Sequence, residues 1–174
     1  MTSNTDVELP HPILTEVLAY WQRQCGGRAM PSPRDIDPLG LGAKLLPHIV
    51  LVDVEPDGDF RYRLVGATAV SAVGRNAKGQ LVSSYHPNPA YSTWLIALYR
   101  RVLAGKRPIY SESIFKLPDG RNTRVNHRLL CPLSADGATV DRLLAAQVFV
   151  PDDRPDLPGT IEAVDFTTGA IREL

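Results

Sequence analysis

The chain has 174 residues, enough for one domain with a full core and too few for a conventional two-domain enzyme. Hydrophobic residues make up 44% and charged residues 22%, which excludes a disordered chain, and 19 Lys+Arg against 19 Asp+Glu leave no basic surplus. A general nucleic-acid coat is excluded with it, because counterion-release binding needs that surplus.

Residues 1–11 read as an N-terminal tail, since MTSNTDVELP has neither the basic nor the apolar region of a secretory signal. No run approaches the ~18 apolar residues that span a bilayer, so the expectation is a cytoplasmic protein without a membrane partner. From Pro12 to Cys25, Leu14, Val17, Leu18, Trp21 and Cys25 recur at helical spacing, with Pro12 suited to the first position and Gly26-Gly27 to the stop. The chain has 15 prolines, and MPSPRDIDP forms a stiff strap that ends in a cap and first position, Asp37-Pro38, for a short helix over Leu39 to Leu46.

Ile49 to Val54 and Phe60 to Val65, separated by Glu-Pro-Asp-Gly-Asp, predict a β-hairpin. A polar stretch from Gly66 to Gly79 holds one short helical window, Thr68 to Val73. Asn88-Pro89 caps a second strong helix that carries Tyr91, Trp94, Leu95, Leu98, Tyr99 and Val102 on one stripe and stops at Gly105. Ile109 to Leu117, Thr123 to Cys131 and Leu143 to Val150 then read as a three-stranded meander, with turns at Pro118-Asp119-Gly120 and Ser134-Ala135-Asp136-Gly137. The layout is α+β, one five-stranded antiparallel sheet with helices on one face and an additional N-terminal helix. The domain runs over 12–151 and residues 152–174 form a C-terminal tail, in which Ile161, Val164 and Phe166 favour docking.

These stretches resemble the PAS domain, and in particular a bacterial family of single-domain PAS proteins. The likeness rests on Tyr20-Trp21, Pro33 to Pro38, Leu46 to Val54, Phe60 to Gly66 and Gly74 to Gly79, and it covers roughly Leu14 to Val150. It implies a sensory or protein-interaction module in bacterial signal transduction, with a cavity between sheet and helices and frequent dimerisation through the first helix. It carries over no cofactor: Ala77 stands where light-sensing relatives have their photoreactive cysteine, and the long helix, Pro89 to Ala104, lacks the axial histidine of haem-binding relatives. Haem and flavin are therefore disfavoured, and a ligand sensor needs instead a cavity of roughly 300 Å³ or more. No kinase, cyclase or DNA-binding output is apparent among these residues, so a signal is expected to pass by association with a signalling partner.

Candidate site residues follow from strand alternation. Val125, His127, Leu129 and Cys131 alternate with Arg124, Asn126, Arg128 and Leu130, which points His127 inward and leaves Arg124 and Arg128 to solvent or a partner patch. Gln147 sits among apolar neighbours on the last strand, so His127 and Gln147 form a candidate polar pair in the cavity, with Tyr62 and Trp94 as aromatic wall. Arg63 either captures an anion or pairs with Asp35, Asp37 or Asp53. Leu14, Val17, Leu18 and Trp21 must cover the sheet or a second copy, and they are the candidate interface of a homodimer.

Catalysis and metal binding find little support. Gly74 and Gly79 have P-loop spacing, but Gln80-Leu81 replaces its Lys-Ser/Thr. His11, His48, His86 and His127 show no ligand spacing, and Cys25 and Cys131, without CxxC spacing, read as reduced thiols. Ser83 and Ser84 lie near His86 without a nucleophile elbow. A small cavity enzyme of isomerase or dehydratase type is the alternative, and it requires an inward acid opposite His127, for which Glu112 and Asp53 are the candidates.

Overall fold

The computed structural model describes residues 8–116, 123–151 and 166–174. Helix α1, Pro12–Cys25, starts where the His11 ring accepts from the Ile13 amide at 3.2 Å and ends at Gly26 in the left-handed region. The proline strap turns once at Pro33–Asp35 through a reciprocal Ser32–Asp35 capping box. Tyr20 of α1 holds the strap down, its hydroxyl accepting from the Asp37 amide at 3.1 Å, while Arg28 pairs with Asp35 at 2.7 Å. Asp37 caps α2, Pro38–Leu45, and Gly42 at φ 72° breaks that helix before the tight turn Leu46–His48.

Strands β1, Ile49–Val54, and β2, Phe60–Val65, form the expected hairpin, followed by α3, Ala67–Val73, α4, Val82–Tyr85, and α5, Pro89–Gly105. The meander is β3, Ile109–Lys116, β4, Thr123–Leu133, and β5, Arg142–Pro151, and a sixth strand β6 spans Phe166–Glu173. All pairings are antiparallel in the order β2-β1-β5-β4-β3-β6. The sheet thus has one strand more than the sequence predicts: part of the C-terminal segment docks by pairing with β3, and Leu174 adds its amide to Pro108 O at 2.9 Å. Ile161 and Val164, and the turn at Pro118-Asp119-Gly120, lie outside the described residues. At the other end Leu9, read as tail, is buried in the core.

Helices cover both faces. Helix α5 meets β4 from the side of Arg128, which bonds Tyr91, whereas α1 lies on β4 and β5 from the side of Cys131, and Trp21 Nε1 donates to Pro132 O at 2.8 Å. The apolar stripe of α1 is consumed there. Leu14 and Val17 are fully buried, Trp21 nearly so, and Leu18 packs against the same core. Three of the four residues proposed for a dimer interface, Leu14, Val17 and Trp21, are therefore covered by the chain's own sheet, and Leu18 is partly buried. No helix among the described residues is long and apolar enough to cross a membrane.

The β1–β2 ladder slips by a residue between Leu51 and Val52, where Leu64 and Tyr62 are the successive partners and Arg63 is the extra residue. That bulge turns both Tyr62 and Val65 toward the α3 side and leaves Arg63 in solvent. Gly66 follows it, with its amide on Ile49 O at 2.8 Å and no room for a side chain: an added Cβ would overlap Pro47 O and approach Ile49 O to 2.8 Å. Helix α5 runs through Gly105, its expected stop, and the left-handed cap falls on Lys106 at φ 53°.

Both backbone features predict stability changes measurable by urea unfolding. Gly66→Ala should destabilise the chain by about 3 kcal/mol, because the overlapped atoms are main chain and cannot step aside. Lys106→Gly should stabilise it by about 1 kcal/mol by removing the Cβ penalty at a left-handed cap.

Candidate functional site

A cavity of about 90 Å³ lies between the sheet and the helices α3 to α5. Val50, Val65, Ala69, Ala72, Val73 and Ala77 give it an apolar wall, and exposed Val73, Arg75 and Pro87 stand at its rim. Phe149 and Tyr85 add aromatic surface, and the polar groups come from Tyr62, His86, Tyr91, Asn126, Arg128 and Gln147. It is smaller than the ~300 Å³ expected for a ligand sensor, so its contents are limited to a few non-hydrogen atoms.

The strand register explains how polar groups come to the floor. Ser111, Arg128 and Gln147 are direct cross-strand partners on β3, β4 and β5, so their side chains share one face, and Ser113, Asn126 and Phe149 form the next row on that face. Asn126 Nδ2 donates to Gln147 Oε1 at 3.4 Å. Arg128, only 1% exposed, donates from Nη2 to the Tyr91 hydroxyl at 2.7 Å, and its guanidinium carbon lies 5.8 Å from the Trp94 ring centre. Among the described residues, its Nε and Nη1 have no hydrogen-bond partner, nor do the Ser111 and Ser113 hydroxyls or Asn126 Oδ1.

This arrangement reverses the expected orientation of β4. His127 pairs with Val148 in the ladder, not with Gln147, and so points to the α1 side. There its Nδ1 lies 2.7 Å from the Tyr110 hydroxyl and 3.9 Å from Glu112 Oε2. The His127–Gln147 pair therefore does not form, while Gln147 and Tyr62 do line the cavity. Trp94 meets the site through Arg128 and does not line it. Arg63, displaced by the bulge, lies 3.4 Å from Asp53, which also receives Arg142 Nε at 2.5 Å. Asp35 and Asp37, the other candidate partners of Arg63, are used by Arg28 and by the α2 cap. The acid opposite His127 that an enzyme would need is Glu112, and it sits with the histidine on the face away from the cavity.

Sequence reasoning missed Arg128, Asn126, His86 and Tyr91. His86 is enclosed by rings, edge-on to Tyr85 at 4.9 Å and to Tyr91 at 4.7 Å, with the Tyr62 hydroxyl 2.8 Å from Nε2. Burial foremost, and then the positive charges of Arg128 and Arg75, bring its pKa down to about 3, so the ring is neutral at physiological pH. Burial also raises the Tyr62 and Tyr91 hydroxyls above their ordinary range, which keeps both protonated. Arg75 closes the rim, stacked 4.4 Å over Tyr85, whose hydroxyl donates in return to Arg75 O at 3.0 Å.

The His86 shift fixes a pH dependence. The unfolded chain takes up a proton near pH 6.5 and the folded chain does not until about 3, so stability is lost as pH falls through that window. Between pH 7 and 5 the loss should be about 2 kcal/mol, and His86→Gln should remove it, as read from urea unfolding at the two pH values.

Among known proteins, the sequence model of the PAS-domain family matches residues 9–148. No curated protein matches the chain. The match takes in α1, the strap, both hairpin strands, the helical layer and nearly all of the meander, and the order β2-β1-β5-β4-β3 is the sheet that this stretch builds. The chain belongs to the PAS-domain family, whose members are sensory and signalling modules.

Proposed function

We propose that this chain is a non-enzymatic sensory domain that takes a small ligand into the cavity between the sheet and α3–α5 and passes its state to a signalling partner by association. The observation that carries this reading is the polar floor: buried, incompletely bonded side chains of Asn126 and Arg128 face a cavity whose remaining wall is mostly aliphatic and aromatic. Buried polar groups in a filled core are paired, because leaving one unpaired costs roughly 1–3 kcal/mol, whereas ligand sites keep a few such groups to orient what they bind.

The chemistry at hand supports binding over catalysis. Among the described residues no carboxylate lines the cavity, and the His86 imidazole there is held neutral by burial and by two neighbouring guanidinium groups. A ligand of a few atoms also suits the volume better than haem or flavin, and Ala77 lines the cavity without a reactive atom.

Native mass spectrometry of the purified chain, beside its denatured mass, tests the reading. A small mass retained under native conditions and lost on denaturation is expected, and Ala72→Phe, which extends a ring into the cavity from a partly exposed helix position, should abolish it. If nothing is retained, and no member of a panel of acids, amides and alcohols of up to about six non-hydrogen atoms raises the melting temperature of the wild type above that of Ala72→Phe, the chain is an adaptor that works through its surface.

A further inference from the structure

The Arg128 guanidinium lies at the cavity floor. Among the described residues, no aspartate or glutamate lines the cavity, and the nearest polar partner is a neutral tyrosine hydroxyl. Elsewhere in the fold Arg28 pairs with Asp35, Arg61 with Glu55, Arg63 and Arg142 with Asp53, and Arg101 with Glu173. Those pairs are partly exposed and individually worth little, whereas Arg128, fully desolvated, meets no carboxylate among the described residues. A buried cation in this position costs stability unless a negative charge joins it.

The donor geometry defines what that charge looks like. A guanidinium has five N–H donors, and the Tyr91 hydroxyl takes one of the two on Nη2. The other Nη2 hydrogen then lies parallel either to that of Nε or to one of Nη1, and both of those nitrogens are unbonded. Whichever hydrogen Tyr91 takes, one complete two-donor edge is left, and such an edge matches the two oxygens of a carboxylate. Arg75 is engaged at the rim by the Tyr85 ring and the Tyr85 carbonyl, so at the floor Arg128 alone balances a single charge. Val50, Val65, Ala69 and Ala72 then offer an aliphatic slot in a space of about 90 Å³, which admits a body of a few carbons. Asn126 Oδ1, an acceptor on the same face that no donor among the described residues bonds, would receive a hydroxyl next to the carboxylate.

We propose that the cavity is a site for a short-chain monocarboxylate, its carboxylate held two-pronged by Arg128 and its carbon body packed against α3 and β1. This deepens the sensory reading and rests on it.

Thermal melts of the whole chain at constant ionic strength test it, with sodium propionate and sodium lactate as probes and propionamide and inorganic phosphate as controls. Either carboxylate, at about ten times its Kd, should raise the melting temperature by about 3–6 °C, and neither control should. Arg128→Met should fold and melt at or above the wild-type temperature, since it removes an unpaired buried charge at similar volume, and should show no response to either acid. Arg128→Lys keeps the charge without the planar fork and should weaken the carboxylate at least about tenfold; it also serves if the methionine variant does not fold. A response to propionamide equal to that of propionate, a response to phosphate alone, or an undiminished response in the Arg128 variants would each overturn the carboxylate assignment and leave the ligand-sensor reading standing. Absence of any response in the wild type would overturn it too, and the retained mass compared between wild type and Ala72→Phe would then decide the sensor reading separately.

Discussion

A positive charge sealed into the middle of a sheet is the constraint around which this molecule is arranged. Arg128 sits on the central part of β4, and burying it requires that everything within reach be a dipole or a ring. The Tyr91 hydroxyl takes one donor, the Trp94 ring lies alongside, Ser111 and Gln147 flank it in the same sheet row, and the neighbouring imidazole gives up its own ionisation. Tyr62, Tyr85, His86 and Tyr91 then pack edge to face in a continuous wall, which fixes α4 and the start of α5 relative to β2. An apolar residue in place of Arg128 would satisfy the fold with far fewer of these dependencies, so their presence points to a role outside stability.

Much of the architecture was legible because its signals are local. The stripe of α1, the Asp37 and Asn88 caps followed by proline, and the Glu-Pro-Asp-Gly-Asp turn each lie within a few residues, and each element stands within a residue or two of where periodicity and capping put it. The short α4 was hidden because a single turn has no period to read. Strand β6 was hidden because its existence depends on an available edge on β3, which no feature of residues 166–173 announces.

The site was misread for a different reason. By alternation alone, the apolar set of Val125, Leu129 and Cys131 marks the inside of β4. That inference holds when one face of a sheet is wet. Here α1 covers one face and α5 the other, so the apolar set marks the face toward α1 and the polar set of Asn126 and Arg128 marks an interior as dry. One clue was present: in a meander with these turns, Ser111 and Ser113 fall opposite Arg128 and Asn126, and a cluster of polar residues in adjacent rows of neighbouring strands is a patch rather than a series of accidents. His127 was the more conspicuous residue, yet it serves the other face with Tyr110 and Glu112.

The family's sheet is complete at β5, and its outer strand β3 would present a row of free amides and carbonyls to any passing chain. In this protein β6 occupies that row along its length, locked at its end by Arg101 to Glu173 and by Arg172 stacked 4.7 Å over Tyr110. At the opposite edge, Arg61 of β2 is bridged to Leu81 and its carboxylate partner Glu55 lies beside it. Both margins are therefore furnished with the chain's own atoms. Strand addition, the least selective way for sheets to meet, is thereby closed off at β3, and the outer edge of the sheet passes from the family's own strand to β6.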